Sequence, residues 1–216
     1  MGKRKIGKSP VKYTGKKSTS KNDELIEFES LIEKDFLELV DYDDEVKKVT
    51  SQPLTIKVDP KYELDKKTYT PDFLVEFNPE LKKKNQLIEI KPEIRVKKNQ
   101  EFFNKLSEVV NDYCKPFNQE FLIVTENTIR NDFLTNISKL NYYKSQGYNQ
   151  ILANQIIQVL KSRSVSILEL LNILKSTNHE QEITHSIWCM LSLKKIGCNL
   201  KEKINLKTIL FLNESK

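Results

Sequence analysis

The amino-acid sequence predicts an α/β fold: a mixed sheet flanked by helices, followed by a small, mainly helical domain. Three observations carry that expectation. Short apolar or alternating runs at 53–58, 68–77, 86–91 and 120–125 have the period of strands, whereas 98–114 has the spacing of an amphipathic helix. These runs follow one another as α-β-β-β-α-β-α, the order of an α/β domain built on a mixed sheet. Beyond residue 145 the pattern changes to helix, helix and a terminal hairpin. The expected division is a basic arm over 1–22, a first domain over 23–145 and a second over 146–216.

Composition sets the limits. The chain has 216 residues, 38% apolar and 31% charged. That is enough apolar content for a core, and the charge is too mixed in sign for a disordered chain. Five glycines and seven prolines exclude collagen-like or linker-dominated architecture. No apolar run approaches the ~18 residues of a membrane span. Basic residues at the N-terminus are not followed by an apolar segment, so no secretory signal is expected. Cys114, Cys189 and Cys198 are odd in number, with no pair at metal-ligand spacing. They read as reduced thiols of a cytoplasmic protein.

The net charge of +6 is unevenly placed. Lys3, Arg4, Lys5, Lys8, Lys12, Lys16, Lys17 and Lys21 give residues 1–21 a charge of +8 with no acid, leaving −2 for the rest. An arm with so little apolar content is expected to stay flexible until it meets a polyanion. Lys3, Arg4, Lys5 and Lys8 are its first candidates for nucleic-acid phosphate.

The elements follow in order. Asp23 opens a helical pattern that runs to about Val40. Residues 53–58 read as a strand, 59–67 as a polar turn and Thr68–Phe77 as a second strand. Asn78–Asn85 is a charged connection. Gln86–Lys91 is a β-branched strand ended by Pro92. Lys98–Cys114 is a helix, Glu120–Thr125 a strand apolar enough to be buried on both faces, and helical pattern resumes near Glu126. In the last domain, Ser166 and Glu169 form a possible capping box. A second helix is expected over Ile183–Ile196 with Gly197 as its stop, then strands at Cys198–Ile204 and Leu206–Leu212. Helix, helix and hairpin suggest a winged-helix-like module.

Strand parity singles out the chemistry. Thr70, Asp72, Leu74 and Glu76 share one face of their strand, and Leu87, Glu89 and Lys91 one face of theirs. Adjacent strands in this order bring Asp72, Glu89 and Lys91 together. Two converging carboxylates repel unless a cation lies between them. A hard divalent ion such as Mg²⁺ fills that need through one or two carboxylates plus water. The lysine could orient or deprotonate a nucleophilic water, or stabilise charge developing on a phosphate. An ordinary Glu89–Lys91 ion pair on a solvated sheet face fits the same spacing. On the first helix Glu33 lies between Ile26, Leu37 and Val40, inside the apolar stripe, with Glu29 beside it. An acid there is costly unless paired or coordinated. A rim position or an ion pair with a neighbouring strand is the ordinary alternative.

Ser30-Leu-Ile-Glu33 with Phe36-Leu37, Gln52-Pro53-Leu-Thr-Ile, Tyr69-Thr-Pro-Asp72-Phe-Leu-Val75 and Leu87-Ile-Glu89-Ile-Lys91-Pro92 together resemble the TnsA endonuclease family. These are the nuclease subunits of heteromeric cut-and-paste transposases, with a restriction-endonuclease-like fold. Carried over by position, the resemblance implies a catalytic set of Glu33, Asp72, Glu89 and Lys91. It implies a Mg²⁺ ion, with Mn²⁺ as substitute, held by Asp72, Glu89 and the Ile90 carbonyl, and Glu33 completing the shell or serving a second ion. Glu29 is the reserve if the helix is rotated. The implied activity is cleavage at the 5′ ends of a transposon. The implied partners are transposon-end DNA, a transposase of the TnsB type and an AAA+ ATPase regulator of the TnsC type, the last reached through the C-terminal domain. A stand-alone restriction or repair nuclease, or a DNA-bound adaptor without catalysis, would use the same fold.

Lys82, Lys83, Lys84, Lys97 and Lys98 flank the catalytic strand and are further candidates for phosphate contact, though solvated loop charges explain them equally well. His179 and His185 read as ordinary helix or loop residues and Trp188 as core. Residues 166–216 lack a strongly basic face, so protein docking suits this module at least as well as DNA.

Overall fold

Residues 13–213 are described by the computed structural model of the chain, and they divide into two units, one ending at Ile129 and the other beginning at Arg130. The division falls before the expected boundary at 145, because the helix over 132–143 belongs with the C-terminal elements.

The first unit opens with β1 (Gly15–Lys17) antiparallel to β2 (Ile26–Phe28). Tyr13 stacks on Phe28 with ring centroids 6.4 Å apart. Gly15 lies against the same ring, where a Cβ would come within 2.5 Å of Phe28 Cζ. Lys17 pairs with Glu38 at 2.7 Å, and Lys21 Nζ donates to the Asp43 carbonyl at 2.5 Å. The arm expected to be flexible over 1–22 is therefore folded from Tyr13 onward, its cations held by acceptors in the domain. Lys3, Arg4, Lys5 and Lys8 lie outside the described residues.

The helix expected from Asp23 begins later, as α1 (Leu31–Tyr42). Ile26 and Phe28 are both buried around a more exposed Glu27, which is strand alternation. Ser30 then turns the chain in an extended conformation and caps α1 by accepting the Glu33 N–H. The buried stripe of α1 is Glu33, Leu37 and Val40.

A strand that the sequence did not announce follows, β3 (Val46–Ser51). Val46 and Val49 are both buried although three residues apart, because the register shifts between Val46 and Lys48. β4 (Ile56–Lys57) and β5 (Thr68–Tyr69) form a two-stranded ribbon. β6 (Phe73–Phe77) is separate, so the expected strand over 68–77 is two pieces broken at Pro71, which has no N–H for a ladder. Next come β7 (Asn85–Ile90), α2 (Glu93–Lys98), α3 (Gln100–Cys114), β8 (Gln119–Val124) and the short α4 (Glu126–Ile129).

The main sheet has the order β3-β6-β7-β8. Its first two pairings are antiparallel and β7–β8 is parallel, the crossover running through α2 and α3. This is the mixed sheet that the sequence predicts. Leu87, Phe121 and Tyr69 pack with Phe103, Leu106 and Val110 on the α3 side. On the other side Phe36 of α1 stacks on Phe73 at 5.6 Å. The strand buried on both faces is β7; β8 is an edge strand, with Leu122 38% exposed, contrary to the reading of its apolar run.

The second unit contains α5 (Asp132–Tyr143), α6 (Gln150–Ser162), β9 (Val165–Ser166), α7 (Ile167–Leu174), α8 (Glu180–Ser192), β10 (Ile196–Gly197) and β11 (Ile209–Leu212). Ser166 caps α7 by accepting the Glu169 N–H, as its sequence suggested. α8 ends earlier than expected. Lys194 takes the left-handed conformation (φ 54°), while Gly197 lies in β10 under the Phe211 ring. β9, β10 and β11 form one antiparallel sheet in the order β10-β11-β9. The strand expected over Cys198–Ile204 is instead an irregular segment held to α5 by Asn136, whose amide donates to the Leu200 and Glu202 carbonyls at 2.9 and 2.8 Å. Trp188 is 9% exposed and stacks on Tyr143, with Lys139 over its ring. His185 Nε2 meets the Gly147 carbonyl at 2.8 Å. Among the described residues no helix is long and apolar enough to cross a membrane.

Candidate active site

Pairing of β6 with β7 sets Phe73 against Ile88 and Leu74 against Leu87. Asp72, just before β6, thereby reaches the end of β7, where Glu89, Ile90 and Lys91 follow one another. The Ile90 N–H donates to Asp72 Oδ2 at 2.7 Å. Lys91 Nζ lies 2.6 Å from Glu89 Oε1, 3.1 Å from Asp72 Oδ2 and 3.0 Å from the Ile90 carbonyl oxygen. Two carboxylates and one main-chain carbonyl thus converge on one cation. The Lys91 and Asp72 side chains are 20% and 21% exposed, and that of Glu89 7%.

The electrostatics follow from this arrangement. Burial and then the charge of Asp72 raise the Glu89 carboxyl, against the pull of Lys91 and Tyr69. Burial works against the charge on Lys91, but Asp72 and Glu89 outweigh it and hold the ammonium above its ordinary range. Lys91 is therefore a cation at neutral pH, suited to orienting a water or a phosphate oxygen and unsuited to taking a proton.

Glu33 approaches from α1. Its Oε2 accepts the Glu29 N–H at 2.7 Å and its Oε1 the Ser30 hydroxyl at 2.9 Å. Burial, then the charge of Asp72, push its carboxyl up to about 6. The helix acid is electrostatically joined to the sheet acids, but its oxygens are held by the turn that caps α1. It is not among the oxygens around Lys91 Nζ. Among the described residues no three His, Cys, Asp or Glu side chains stand close enough to share a metal. The donor set at β7 is instead two carboxylates and a carbonyl, all hard oxygens, which fits Mg²⁺ held by few protein ligands plus water.

Two residues of the site escape the sequence reading. Tyr69 donates its hydroxyl to Glu89 Oε2 at 2.5 Å. A continuous strand would turn Tyr69 away from Asp72; the break at Pro71 brings both to Glu89. Gln52 sits at φ 45°. Its N–H donates to the Asp72 carbonyl at 2.8 Å and its side-chain amide to Glu29 Oε1 at 2.9 Å. Both belong to motifs quoted above, which was the available signal. Of the flanking lysines, Lys97 pairs with Glu93 at 3.0 Å, and Lys83 is bonded to Glu45 and lies over the Phe77 ring. Lys82, Lys84 and Lys98 are exposed.

Residues 43–126 match the family model described as TnsA-like endonuclease N terminal. The matched span runs from just before β3 into α4 and includes Gln52, Tyr69, Asp72, Glu89 and Lys91; Glu33 lies upstream of it. Over this span, and over less than half of the chain, the first unit is similar to the N-terminal domain of TnsA-like endonucleases. No curated protein matches the chain.

Proposed function

We propose that the protein is the Mg²⁺-dependent endonuclease subunit of a heteromeric cut-and-paste transposase, cutting DNA at the 5′ ends of the element. The observation that carries this reading is the convergence of Asp72, Glu89 and the Ile90 carbonyl on one point, taken in this structure by the Lys91 ammonium. Those three groups would hold the ion, and Mn²⁺ would substitute for it. When bound, the ion supplies positive charge for the oxygen that leaves phosphorus.

The chain's own residues do the rest. Lys91, displaced from the carboxylates by the ion but still beside them, donates to the attacking water or to a non-bridging phosphate oxygen and so fixes the line of attack. The water oxygen bonds to phosphorus, the bond from phosphorus to the 3′ oxygen breaks, and the water proton passes to solvent. Glu33 adds negative charge beside Asp72 from the α1 side. Exposed Lys98, and Lys3, Arg4, Lys5 and Lys8 of the basic arm, are suited to the DNA backbone, with Lys97 available once it leaves Glu93.

The second unit is read as a winged-helix-like docking module for the protein partners, a transposase of the TnsB type and an ATPase regulator of the TnsC type. Its α8 is buried from Ser186 to Ser192 and begins with exposed Glu180 and Glu182. A helix so covered and so charged is poorly placed to enter a major groove. This favours a protein partner over DNA.

Calorimetric titration of Mn²⁺ into wild type, Asp72→Ala and Glu89→Ala, with duplex DNA present, tests the site. Binding that disappears in both variants while circular dichroism is unchanged supports the nuclease and justifies reconstitution with the partners. Equal and negligible binding by all three would favour a DNA-bound adaptor.

A further inference from the structure

We infer that Tyr69 is a positioning residue of the metal site: its phenol fixes the rotation of the Glu89 carboxylate so that Oε1 faces Asp72 and the Ile90 carbonyl. The inference rests on the metal-site reading above and adds a residue to it. Glu89 divides its two oxygens between two partners, Oε2 taking the Tyr69 hydroxyl at 2.5 Å and Oε1 the Lys91 ammonium at 2.6 Å. A carboxylate without the first contact could turn about its last bond and withdraw Oε1 from the cluster.

Tyr69 is built to hold still. It is 5% exposed, its backbone is paired with Ile56, and its ring meets Phe121 edge-on at 6.1 Å. Two residues later Pro71 breaks the strand, and Asp72 follows. One short segment therefore supplies both an acid of the cluster and the donor that orients the other acid. Partners of this kind, bonded to a ligating group and not to the ion, typically change metal affinity by about 10–100-fold when removed. A buried tyrosine placed only for packing would give its hydroxyl any acceptor; here the acceptor is the carboxylate at the centre of the cluster.

The test is Mn²⁺ titration of the full chain, comparing wild type, Tyr69→Phe, Phe121→Leu and Asp72→Ala well below their unfolding temperatures. Tyr69→Phe keeps the ring and removes the hydroxyl, and it is expected to weaken Mn²⁺ by about 10–100-fold. Phe121→Leu loosens the packing around the ring but keeps the hydroxyl, and it is expected to lower stability with affinity unchanged. Wild-type affinity in Tyr69→Phe, alongside loss in Asp72→Ala, would overturn the inference and leave the metal site standing. Absence of binding by wild type would overturn both. Should Tyr69→Phe fail to fold, 3-fluorotyrosine at position 69 keeps the hydroxyl and reports directly. Its ¹⁹F resonance is expected to shift on adding Mg²⁺, and a resonance indifferent to Mg²⁺ would overturn the inference.

Discussion

The backbone N–H of Ile90 donates to Asp72 Oδ2 at 2.7 Å, so the strand that carries Glu89 also fixes the acid across from it. This relationship separates two roles of Asp72 that one substitution would blur. Asp72→Asn keeps an oxygen for the Ile90 N–H and removes the charge; Asp72→Ala removes both. Ile90 is buried, so its orphaned N–H costs about 1–3 kcal/mol. Both variants lose the Lys91 ion pair, which cancels in the comparison. The expected outcome is that both lose Mn²⁺ binding, while Asp72→Ala lies about 1–3 kcal/mol below Asp72→Asn in urea denaturation. Equal stabilities would show that the hydrogen bond contributes nothing.

Glu33 makes a prediction with a definite sign. Its carboxyl is raised from 4.5 to about 6 in the folded chain, chiefly by burial and then by Asp72. Below pH 4.5 the group is protonated in both states and the difference vanishes. As pH rises through 6 the folded state must hold a charge it disfavours, and about 2 kcal/mol of stability is lost. Glu33→Gln removes that loss. The stability of Glu33→Gln minus that of wild type is therefore expected to rise by about 2 kcal/mol between pH 4.5 and 7. Parallel curves across that window would mean that Glu33 is not the strained acid of α1.

The cluster formed where the start of β6 meets the end of β7 was legible in the sequence because strand parity needs only local spacing. Asp72, Glu89 and Lys91 share a face in the sequence and meet in space. What was illegible depended on a partner or an irregularity. β2 reads as the first turns of a helix until β1 is known to lie beside it, and β1 sits in an arm whose composition argues for disorder. β3 hides because its register shift puts two buried valines at an odd spacing. Tyr69 joins the site through a strand break, where parity no longer applies. Glu33 was found as an acid in an apolar stripe, but the reason it tolerates that position, the Ser30 and Glu29 contacts, is a matter of helix-cap geometry.

In the second unit, Gly197 and Phe211 are a cross-strand pair in which the ring covers the glycine. A Cβ at 197 would lie 2.4 Å from Phe211 Cε2 and from Asn213 Oδ1. Gly197→Ala is expected to cost about 1–3 kcal/mol through overpacking. Phe211→Ala removes the ring, so the double variant should lose less than the two single losses together, by 0.5 kcal/mol or more on the order expected for contacting residues. Strict additivity in thermal denaturation would show that the ring moves aside without cost.

Gln52 links the two acid-bearing elements: its backbone holds the Asp72 carbonyl and its side chain holds Glu29, whose own N–H holds Glu33. It does so at φ 45°, a conformation that costs a non-glycine residue about 1–2 kcal/mol. Glycine adopts it freely but carries more unfolded-state entropy, worth about 0.4–1 kcal/mol against it. Gln52→Ala and Gln52→Gly lose the same side-chain hydrogen bond, so their difference isolates the backbone. The expected order of stability is Gln52→Gly above Gln52→Ala by about 0.5 kcal/mol, with Gln52→Val lowest because a β-branched residue fits this region worst. Urea denaturation of the three variants reads the order directly. Alanine above glycine would mean that the chain at 52 relaxes out of the left-handed region once the Glu29 contact is gone, so that the side chain, and not the fold around it, holds the strained turn beside Asp72.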